Sequence, residues 1–412
     1  MTAGAQTDGT YSGFSPYSIY GIGLPHQGGT AYNRGMGGVG IANRTKRYIN
    51  TLNPASVTAR DSLSFMADFG ISGKTNLLTQ GDSRNISNTF NIDDFVISFP
   101  LWRHTAMMVG VTPFSDMGYK FKDSSISGDY GLSSFSSTGN GGVYQLFAAF
   151  GATFWSRLSV GVQYNHYFGN LNKVASTTFS DETYLGSTVG DSLQVRGNTV
   201  KFGLQYEQPV STNSYLTVGA TYRLSTRMRG HTLNYSRQGD KYDRDYLSLP
   251  DLKEKLYFGN ELGVGISWRK ADLWSVEADY TLTDWRNSGF ENVRGFSNNG
   301  VYKFSSALGQ SARVGFELTP NRNDIRYYFK RCTYRAGAYF DQSNYLVDGA
   351  HVNAAGITLG MTLPVFRWYN GVSIGLDLGR RGFGSNLVKE NYLGFNVGFN
   401  VFDIWFQKPH YE

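Results

Sequence analysis

Three glycines near the start of this 412-residue sequence form its clearest match to a chemical motif. Gly35, Gly37 and Gly40 fit G-x-G-x-x-G, a pattern that brings a main-chain turn against a pyrophosphate in dinucleotide-binding proteins. That chemistry also needs a preceding strand, a helix that opens at the glycines and an acidic residue about twenty positions on. Here the glycines follow a loop-like segment and lead to Asn43 and Arg44 without a βαβ pattern. The motif therefore does not indicate nucleotide binding.

The histidines do not assemble into a catalytic or metal-binding pattern either. A barrel enzyme such as a lipase or protease would need a Ser-His or acidic constellation at the rim, and a zinc protease would show H-E-x-x-H. The six histidines share no spacing with acidic residues; they are His26, His104, His166, His231, His351 and His410. We predict that the chain is not an enzyme and has no metal or cofactor.

Composition points to a membrane protein built of strands. The chain carries 50 Gly, 28 Tyr and 28 Phe, yet it has no apolar run of about 18 residues that a membrane helix would need. A β-barrel satisfies both observations, because only alternate side chains of each strand face lipid. The net charge of +6 comes without a run of five basic residues, so a nucleic-acid partner is not expected.

The C-terminal stretch "NYLGFNVGFNVFDIWF" shows the alternation most clearly. Apolar side chains occupy every second position from Leu393 to Val401, and glycines and asparagines lie between them. Side chains of a strand alternate between its two faces, so one face is apolar and the other is small and polar. This is the pattern of a strand with lipid on one side and a polar lumen on the other.

The same alternation recurs about fourteen times, in segments near the ten-residue length that a tilted strand needs to cross a bilayer. The alternating segments are 63–71, 95–101, 107–111, 146–154, 158–164, 200–206, 216–224, 262–268, 274–282, 312–318, 334–340, 357–363, 372–378 and 393–401. Short connections follow the even-numbered segments and long polar ones follow the odd-numbered segments. The long connections are 77–90, 115–141, 169–193, 229–256, 286–309, 344–352 and 383–390. We predict an all-β fold, a transmembrane antiparallel barrel over 61–412, in a Gram-negative outer membrane with both termini in the periplasm.

Charged residues occupy the face opposite the apolar one, so they must face the lumen, where both signs of charge favour mutual pairing. They are Asp68, Asp94, Gln163, Lys201, Gln205, Arg223, Glu277, Asp279, Arg313, Glu317, Arg335 and Asp377, with two amides among them. Trp102, Trp155, Trp274 and Trp368 lie near the short turns, as expected of an aromatic girdle in contact with lipid and lipopolysaccharide.

Residues 1–60 lack strand alternation and are rich in glycine, so we predict a plug inside the lumen. Ala3-Gly4-Ala5 has the small-x-small pattern that closes a signal peptide, although no charged or apolar region precedes it. Either the natural start lies upstream or the chain is nearly mature.

"RGMGGVGIA", then Asn53-Pro54-Ala55 and about fourteen strands, resemble the FadL-type outer-membrane transporters of hydrophobic compounds. The resemblance covers the architecture of the whole chain and, in motif, residues 17–56. It implies that Gly35, Gly37, Gly40, Asn53, Pro54 and Ala55 belong to a movable hatch. For Asn53 an ordinary Asx-Pro turn is the alternative.

The resemblance also implies passive uptake: a hydrophobic small molecule, fatty-acid-like or aromatic, enters the lumen and leaves through a gap made by a kink in the third strand. Gly110 and Pro113 are the candidates for this lateral opening, although Pro113 is equally suited to the outer end of the strand. Apolar residues at inward positions are the candidate ligand contacts, with packing against the plug as the alternative: Met66, Met108, Phe147 and Tyr339.

The connections between strands favour a second interpretation. The family's loops that capture ligands are apolar, whereas "FSDETYLGSTVGDS" and the segment after Gly230 are strongly polar. A barrel of this kind could instead be an accessory subunit of an outer-membrane protein secretion or assembly complex, with other outer-membrane proteins as partners. Both functions stay open on the sequence alone.

Overall fold

The computed structural model of the chain describes residues 13–404, except 62, 82, 128–130, 182, 250–254, 294–295, 297–302, 366–369 and 384–387. Ala3-Gly4-Ala5, Trp368 and His410 lie outside the described residues. Across the described residues, every helix is too short or too polar to cross a membrane.

Fourteen antiparallel strands form one closed barrel, as predicted. They are β1 (Ser64–Gln80), β2 (Ser83–Trp102), β3 (Thr105–Ser127), β4 (Gly131–Phe154), β5 (Leu158–Phe179), β6 (Ser187–Ser211), β7 (Ser214–Arg223), β8 (Asn260–Lys270), β9 (Trp274–Asp284), β10 (Leu308–Leu318), β11 (Thr333–Val347), β12 (Ala350–Pro364), β13 (Gly371–Arg381) and β14 (Lys389–Ile404). The barrel closes where β14 pairs with β1, for example Phe399 with Phe69.

The two faces of the wall follow the predicted parity. On β8, Leu262, Val264 and Ile266 are 45–47% exposed, while Gly263, Gly265 and Ser267 between them are buried. The apolar face therefore points outward all around the barrel, and polar side chains point into the lumen.

The strands are much longer than the predicted ten residues on one side of the barrel. The predicted connections 77–90, 115–141 and 169–193 are wrong, since β1 to β6 continue through most of these residues. Ser, Thr and Asn are frequent in these extensions, so the regular alternation that lipid imposes on the rest of each strand is interrupted there. We call this side the long-strand end, and the other the short-turn end.

Smaller elements complete the long-strand end. A hairpin of Arg229–Gln238 and Lys241–Ser248 pairs with the upper half of β6, and Thr226–Arg227 pairs with Tyr257–Phe258. A short strand, Phe304–Ser306, pairs with β11, and Phe290–Asn292 forms a turn of 3₁₀ helix. At the short-turn end, Tyr328–Arg331 forms one helical turn.

Residues 13–60, which we call the hatch, lie inside the barrel. The hatch contains a 3₁₀ turn at Pro16–Ile19, a two-residue strand at Leu24–Pro25, a helical turn at Ala31–Arg34 and a 3₁₀ helix at Pro54–Ala59. Its middle part is almost entirely buried, from Gly29 to Asn43. The hatch thus occupies the middle of the lumen.

Candidate functional site: the hatch and the lumen

Most wall strands place a glycine directly against the hatch. A Cβ atom built on Gly161 would lie 2.3 Å from the carbonyl carbon of Pro54, and one on Gly337 would lie 2.2 Å from the Gly37 nitrogen. No side chain fits at such distances, so main chain touches main chain. This glycine belt consists of Gly151, Gly161, Gly203, Gly219, Gly265, Gly315, Gly337, Gly360 and Gly398.

The hatch glycines are held by the wall. The Gly40 and Ile41 main-chain nitrogens donate to the same carboxylate oxygen of Asp279, at 2.7 and 2.9 Å. The Gly37 nitrogen donates to Thr358 Oγ1 at 2.7 Å, and its φ of +74° suits glycine. Gly35 packs on Gly360 of the belt. The three glycines therefore serve close contact and anchoring in this structure.

A buried group of charges and rings holds the middle of the hatch. Glu317 of β10 accepts from Arg47 of the hatch at 2.5 Å and from Arg335 of β11 at 3.0 Å. The Arg335 guanidinium also lies over the stacked rings of Tyr32 and Tyr48, 4.3 and 4.8 Å from their centroids. Because the side chains involved are buried, removal of Glu317 would leave two guanidinium charges without a carboxylate partner.

Asn53 joins the hatch to the wall as well as capping its own turn. Its side-chain oxygen accepts from the Ala55 nitrogen at 3.0 Å, which is the expected Asx-Pro turn at the start of Pro54–Ala59. Its side-chain nitrogen donates to the carbonyls of Ile41 at 2.7 Å and Leu204 at 3.2 Å. Pro54 and Ala55 press against Gly161 and Gly203.

A cavity of about 500 Å³ remains between the hatch and the wall. Its lining combines apolar side chains such as Phe147 with charged ones, and most of the charges are paired, such as Lys201 and Arg223 with Glu261, at 3.3 Å each. Arg313 with Asp341 and Arg381 with Glu390 form further pairs, at 2.9 and 3.2 Å. These lumen-facing charges therefore pair with one another, along the wall between nearby strands and not across the lumen.

The structure separates the four predicted ligand contacts into two groups. Phe147 and Tyr339 line the cavity, and the Tyr339 hydroxyl hydrogen-bonds Asp377 at 2.8 Å. Met66 and Met108 are fully buried with Phe147 in an apolar cluster that includes Ile49 and Val57 of the hatch. In this structure the two methionines therefore pack against the hatch.

The wall is split between β2 and β3 toward the long-strand end. These strands pair only from Phe95 with Val111 down to Trp102 with Thr105. Gly110 lies in the last part of this ladder, and Pro113 lies just beyond it, at an irregularity in the pairing of β3 with β4. The two residues named for a lateral opening thus flank the place where the strands part.

His26 of the hatch spans this split. Its ring nitrogens contact Asp116 of β3 at 2.9 Å and Asp93 of β2 at 3.2 Å, and Arg34 also contacts Asp93. Burial alone would lower the pKa of His26, but the hydrogen bonds to Asp116 and Asp93 outweigh it and raise the pKa to about 9. At neutral pH a charged imidazole therefore links β2 and β3 at the level where the two strands no longer pair with each other.

Sequence reasoning missed His26, Asp93 and Asp116 as a group. One feature of the sequence was informative: the two acidic residues Asp93 and Asp94 are consecutive. Both are buried, so the alternation of inward and outward side chains is interrupted at this point. Opposite them, Gly70 pairs with Asp94 and Ile71 pairs with Ile92, so Asp93 is the extra residue of a β-bulge. Two adjacent acids in an alternating strand indicate such a bulge. Among the described residues, no group of three or more His, Cys, Asp or Glu side chains could hold a metal ion.

The comparisons with known proteins concern the whole chain. A family model described as BamG matches residues 1–412. No curated protein matches the sequence.

Among solved structures, the fold is similar to the CymD monoaromatic hydrocarbon channel, with a TM-score of 0.60, 15% identity, and coverage of 93% of this chain and 99% of that one. The Pseudomonas putida toluene transporter TodX gives the same four values. A Pseudomonas aeruginosa FadL homologue gives a TM-score of 0.58 at 12% identity, covering 92% of this chain and 99% of its own. At such identities the likeness concerns the fold, which is that of FadL-like outer-membrane channels.

Proposed function

This chain belongs to the BamG family, and from that premise we propose that it is a closed outer-membrane barrel that acts as an accessory subunit of an outer-membrane protein assembly or secretion complex. The proposal places the short turns and the end of β14 in the periplasm and the long strands outside the cell, with the first described residues of the hatch toward the long-strand end, where Ser15 bonds Gly118 of β3. Membrane lipids and lipopolysaccharide surround the wall, and other outer-membrane proteins are the partners.

One observation carries this proposal: the hatch is part of the wall packing. Its main chain lies against the glycine belt on most strands, and Asp279, Glu317 and Thr358 bind it from separate strands. A hatch that moved for each transported molecule would have to break these buried contacts every time, each costing on the order of 1 to 3 kcal/mol. A fixed plug is compatible with a subunit that contacts its partners through its outer surface and does not conduct molecules through its lumen.

The lining of the cavity supports the same view. Ion pairs such as Lys201 with Glu261 and Arg381 with Glu390 interrupt its apolar surface, and an apolar molecule in contact with them would displace water from ions without offering hydrogen bonds. Such a molecule would gain about 25 cal/mol per Å² of apolar surface removed from water only against the apolar part of the lining.

Extraction in mild detergent tests the accessory role. We expect the chain to co-purify in fixed stoichiometry with other outer-membrane proteins, and cells depleted of it to show altered levels of those proteins. The purified chain in planar bilayers should not conduct. A chain that purifies alone, and whose loss leaves the outer-membrane proteins unchanged, would contradict the accessory role.

The split between β2 and β3 favours a second candidate, a passive channel for hydrophobic compounds. In that role the hatch residues Gly35, Gly37, Gly40, Asn53, Pro54 and Ala55 would open and close the passage. Gly110 and Pro113 would form the lateral opening, and Met66, Met108, Phe147 and Tyr339 would contact the ligand.

Uptake of labelled toluene and oleate decides between the roles. Loss of uptake in cells that lack the chain, restored by the wild type and not by Phe147→Arg, would favour the channel. The matched control is Phe150→Tyr on the outer face of the same strand.

A further inference from the structure

The split leaves one strand edge without a partner. Among the described residues, β2 from Ser83 to Asp94 pairs with β1 only. The opposite edge, on β3, is partly taken by the hatch: the Ser15 nitrogen donates to the Gly118 carbonyl at 2.8 Å, and the His26 nitrogen donates to the Phe114 carbonyl at 2.9 Å. Within the part of the chain that the structure describes, the edge of β2 is therefore the side of the split without a strand partner.

From Ile86 to Ile92 the outward side chains of this edge are apolar, with the exception of Asn88. Ile86, Phe90 and Ile92 point outward and are 58%, 47% and 56% exposed. Thr89 and Asn91 point inward and line the cavity, and no described residue offers a hydrogen-bond partner to the buried Asn91 side-chain nitrogen. In lipid, unpaired main-chain groups cost several kcal/mol each, and in water an open edge is a template for another strand.

We propose that the β2 edge from Ser83 to Asp94 binds an extended strand of a partner polypeptide whose apolar and polar side chains alternate. This proposal rests on the proposed accessory function, since it names how a partner would attach. The apolar face of the partner strand would continue the row of Ile86, Phe90 and Ile92, and its polar face would meet Thr89 and Asn91.

The neighbouring edge indicates why the occupant is a polypeptide. There the hatch already pairs in extended form with β3, Leu24 opposite Asp116 and Pro25 opposite Ser115. The same split thus holds one polypeptide through main-chain hydrogen bonds, and strand addition to an exposed edge is a general mode of peptide recognition. A hydrocarbon in the split would satisfy none of the free N–H and C=O groups of β2.

Amide hydrogen exchange of the purified chain in lipid nanodiscs tests the docking site. The probe is a synthetic peptide with the sequence of residues 391–401, NYLGFNVGFNV, which has the required alternation. The control peptide has the same composition with the alternation broken. We expect the first peptide to slow exchange at alternate amides of residues 83–94 by roughly tenfold or more, and to leave β10, which is paired on both sides, unchanged. No slowing, or equal slowing by both peptides, would overturn the proposal.

Two further arms exclude other occupants. If toluene slows exchange along the edge as the peptide does, the split is an exit for hydrophobic molecules and the proposal is wrong. If a chain without residues 1–12 exchanges faster at 83–94 before any peptide is added, the protein's own N-terminal segment occupies the edge, which also overturns it.

The same measurement on the natively extracted assembly separates this proposal from the proposed function. Partners that co-purify while residues 83–94 still exchange rapidly, with no effect of the peptide, would leave the accessory role intact and refute the docking edge. If the peptide slows exchange at residues 83–94 but no partner co-purifies, the docking edge would stand and the accessory role would be refuted.

Discussion

His26 is the residue at which the hatch and the split wall meet, and its charge makes this contact sensitive to pH. Its folded-state pKa of about 9 lies above the ordinary value of 6.5, because Asp116 and Asp93 outweigh burial. A raised pKa contributes stability that is complete below the unfolded value and is lost as pH rises through the folded value. The contact should thus hold at neutral pH and weaken progressively up to pH 9 and above.

We expect exchange protection of residues 24–27 to fall between pH 6.5 and 9.5, after correction for the intrinsic exchange rate at each pH. His26→Gln should abolish most of this dependence, because it removes the titrating group facing Asp93, Asp116 and, through Asp93, Arg34. His166→Gln, at a histidine that bonds Asn198 on the wall, is the control and should keep the wild-type profile. A flat profile in the wild type would refute the role of the histidine.

Asp279 is the single carboxylate that holds two hatch amides, so its removal has a defined local cost. Asp279→Ala leaves the buried Gly40 and Ile41 nitrogens unpaired, at roughly 1 to 3 kcal/mol each. We expect a lower urea midpoint and faster exchange at residues 40 and 41. Asp284→Ala, on the same strand, removes an exposed pair with Arg286 and should change stability by about 1 kcal/mol or less. Equal effects of the two substitutions would argue against anchoring by Asp279.

Residue parity predicted which carboxylates face the lumen, but not what they bind. Glu277, Asp279 and Glu317 are buried on the inner face as the alternation requires. Their hatch partners could not be predicted, because the hatch has no periodicity. Asp279 binds main-chain nitrogens, which carry no residue signature, and Glu277 and Glu317 bind Asn43 and Arg47, which lie far from them along the chain. The contacts of His26 could not be predicted either, because Asp93 and Asp116 lie far from it along the chain.

The glycine belt is a property of whole strands, because a glycine belongs to it only where its strand places that glycine level with the hatch. Gly161→Ala on β5 would place a methyl carbon 2.3 Å from the Pro54 carbonyl carbon, so either Pro54–Ala59 or the strand must shift. We expect a loosened hatch, seen as faster exchange at residues 53–59 and as conductance in planar bilayers.

Gly394→Ala on β14 is the matched control. The nearest contact of its Cβ atom would be Asp377 Cβ at 3.4 Å, which is an ordinary van der Waals distance. Heat-modifiable migration in gels would confirm that both variants fold into barrels. If Gly161→Ala folds and neither conducts nor exchanges faster, the hatch does not depend on the belt.

The number and order of strands could be predicted, whereas their lengths could not. The outward residues of β8 and β14 alternate because lipid selects one face. Beyond the membrane both faces meet water, so stretches such as "GLSSFSSTGN" at the start of β4 have no alternation and look like loops. The part of β2 before Asp93 could not be predicted for another reason: the bulge at Asp93 moves the apolar residues from odd to even positions.

At the scale of the whole molecule, the outward surface divides into a band that faces lipid and an end that faces water. Fractional exposure does not distinguish the two regions. Ile357 on β12 is 61% exposed and Leu185, in the connection between β5 and β6, is 60% exposed. The two side chains differ only in their surroundings, which are lipid at Ile357 and water at Leu185. The free energy of a charged side chain depends on those surroundings.

Arginine substitutions at these two positions therefore test the assignment of the membrane band. We expect Ile357→Arg to lower the free energy of unfolding in lipid vesicles by about 2 to 4 kcal/mol, less if it lies near an interface, because the guanidinium must enter hydrocarbon. Leu185→Arg should change it by about 0.5 kcal/mol or less, since the side chain stays in water. Urea titrations followed by tryptophan fluorescence measure both values. Equal costs at the two sites would mean that the apolar band of β12 is not in contact with lipid, and the arrangement of the barrel in the membrane would then be wrong.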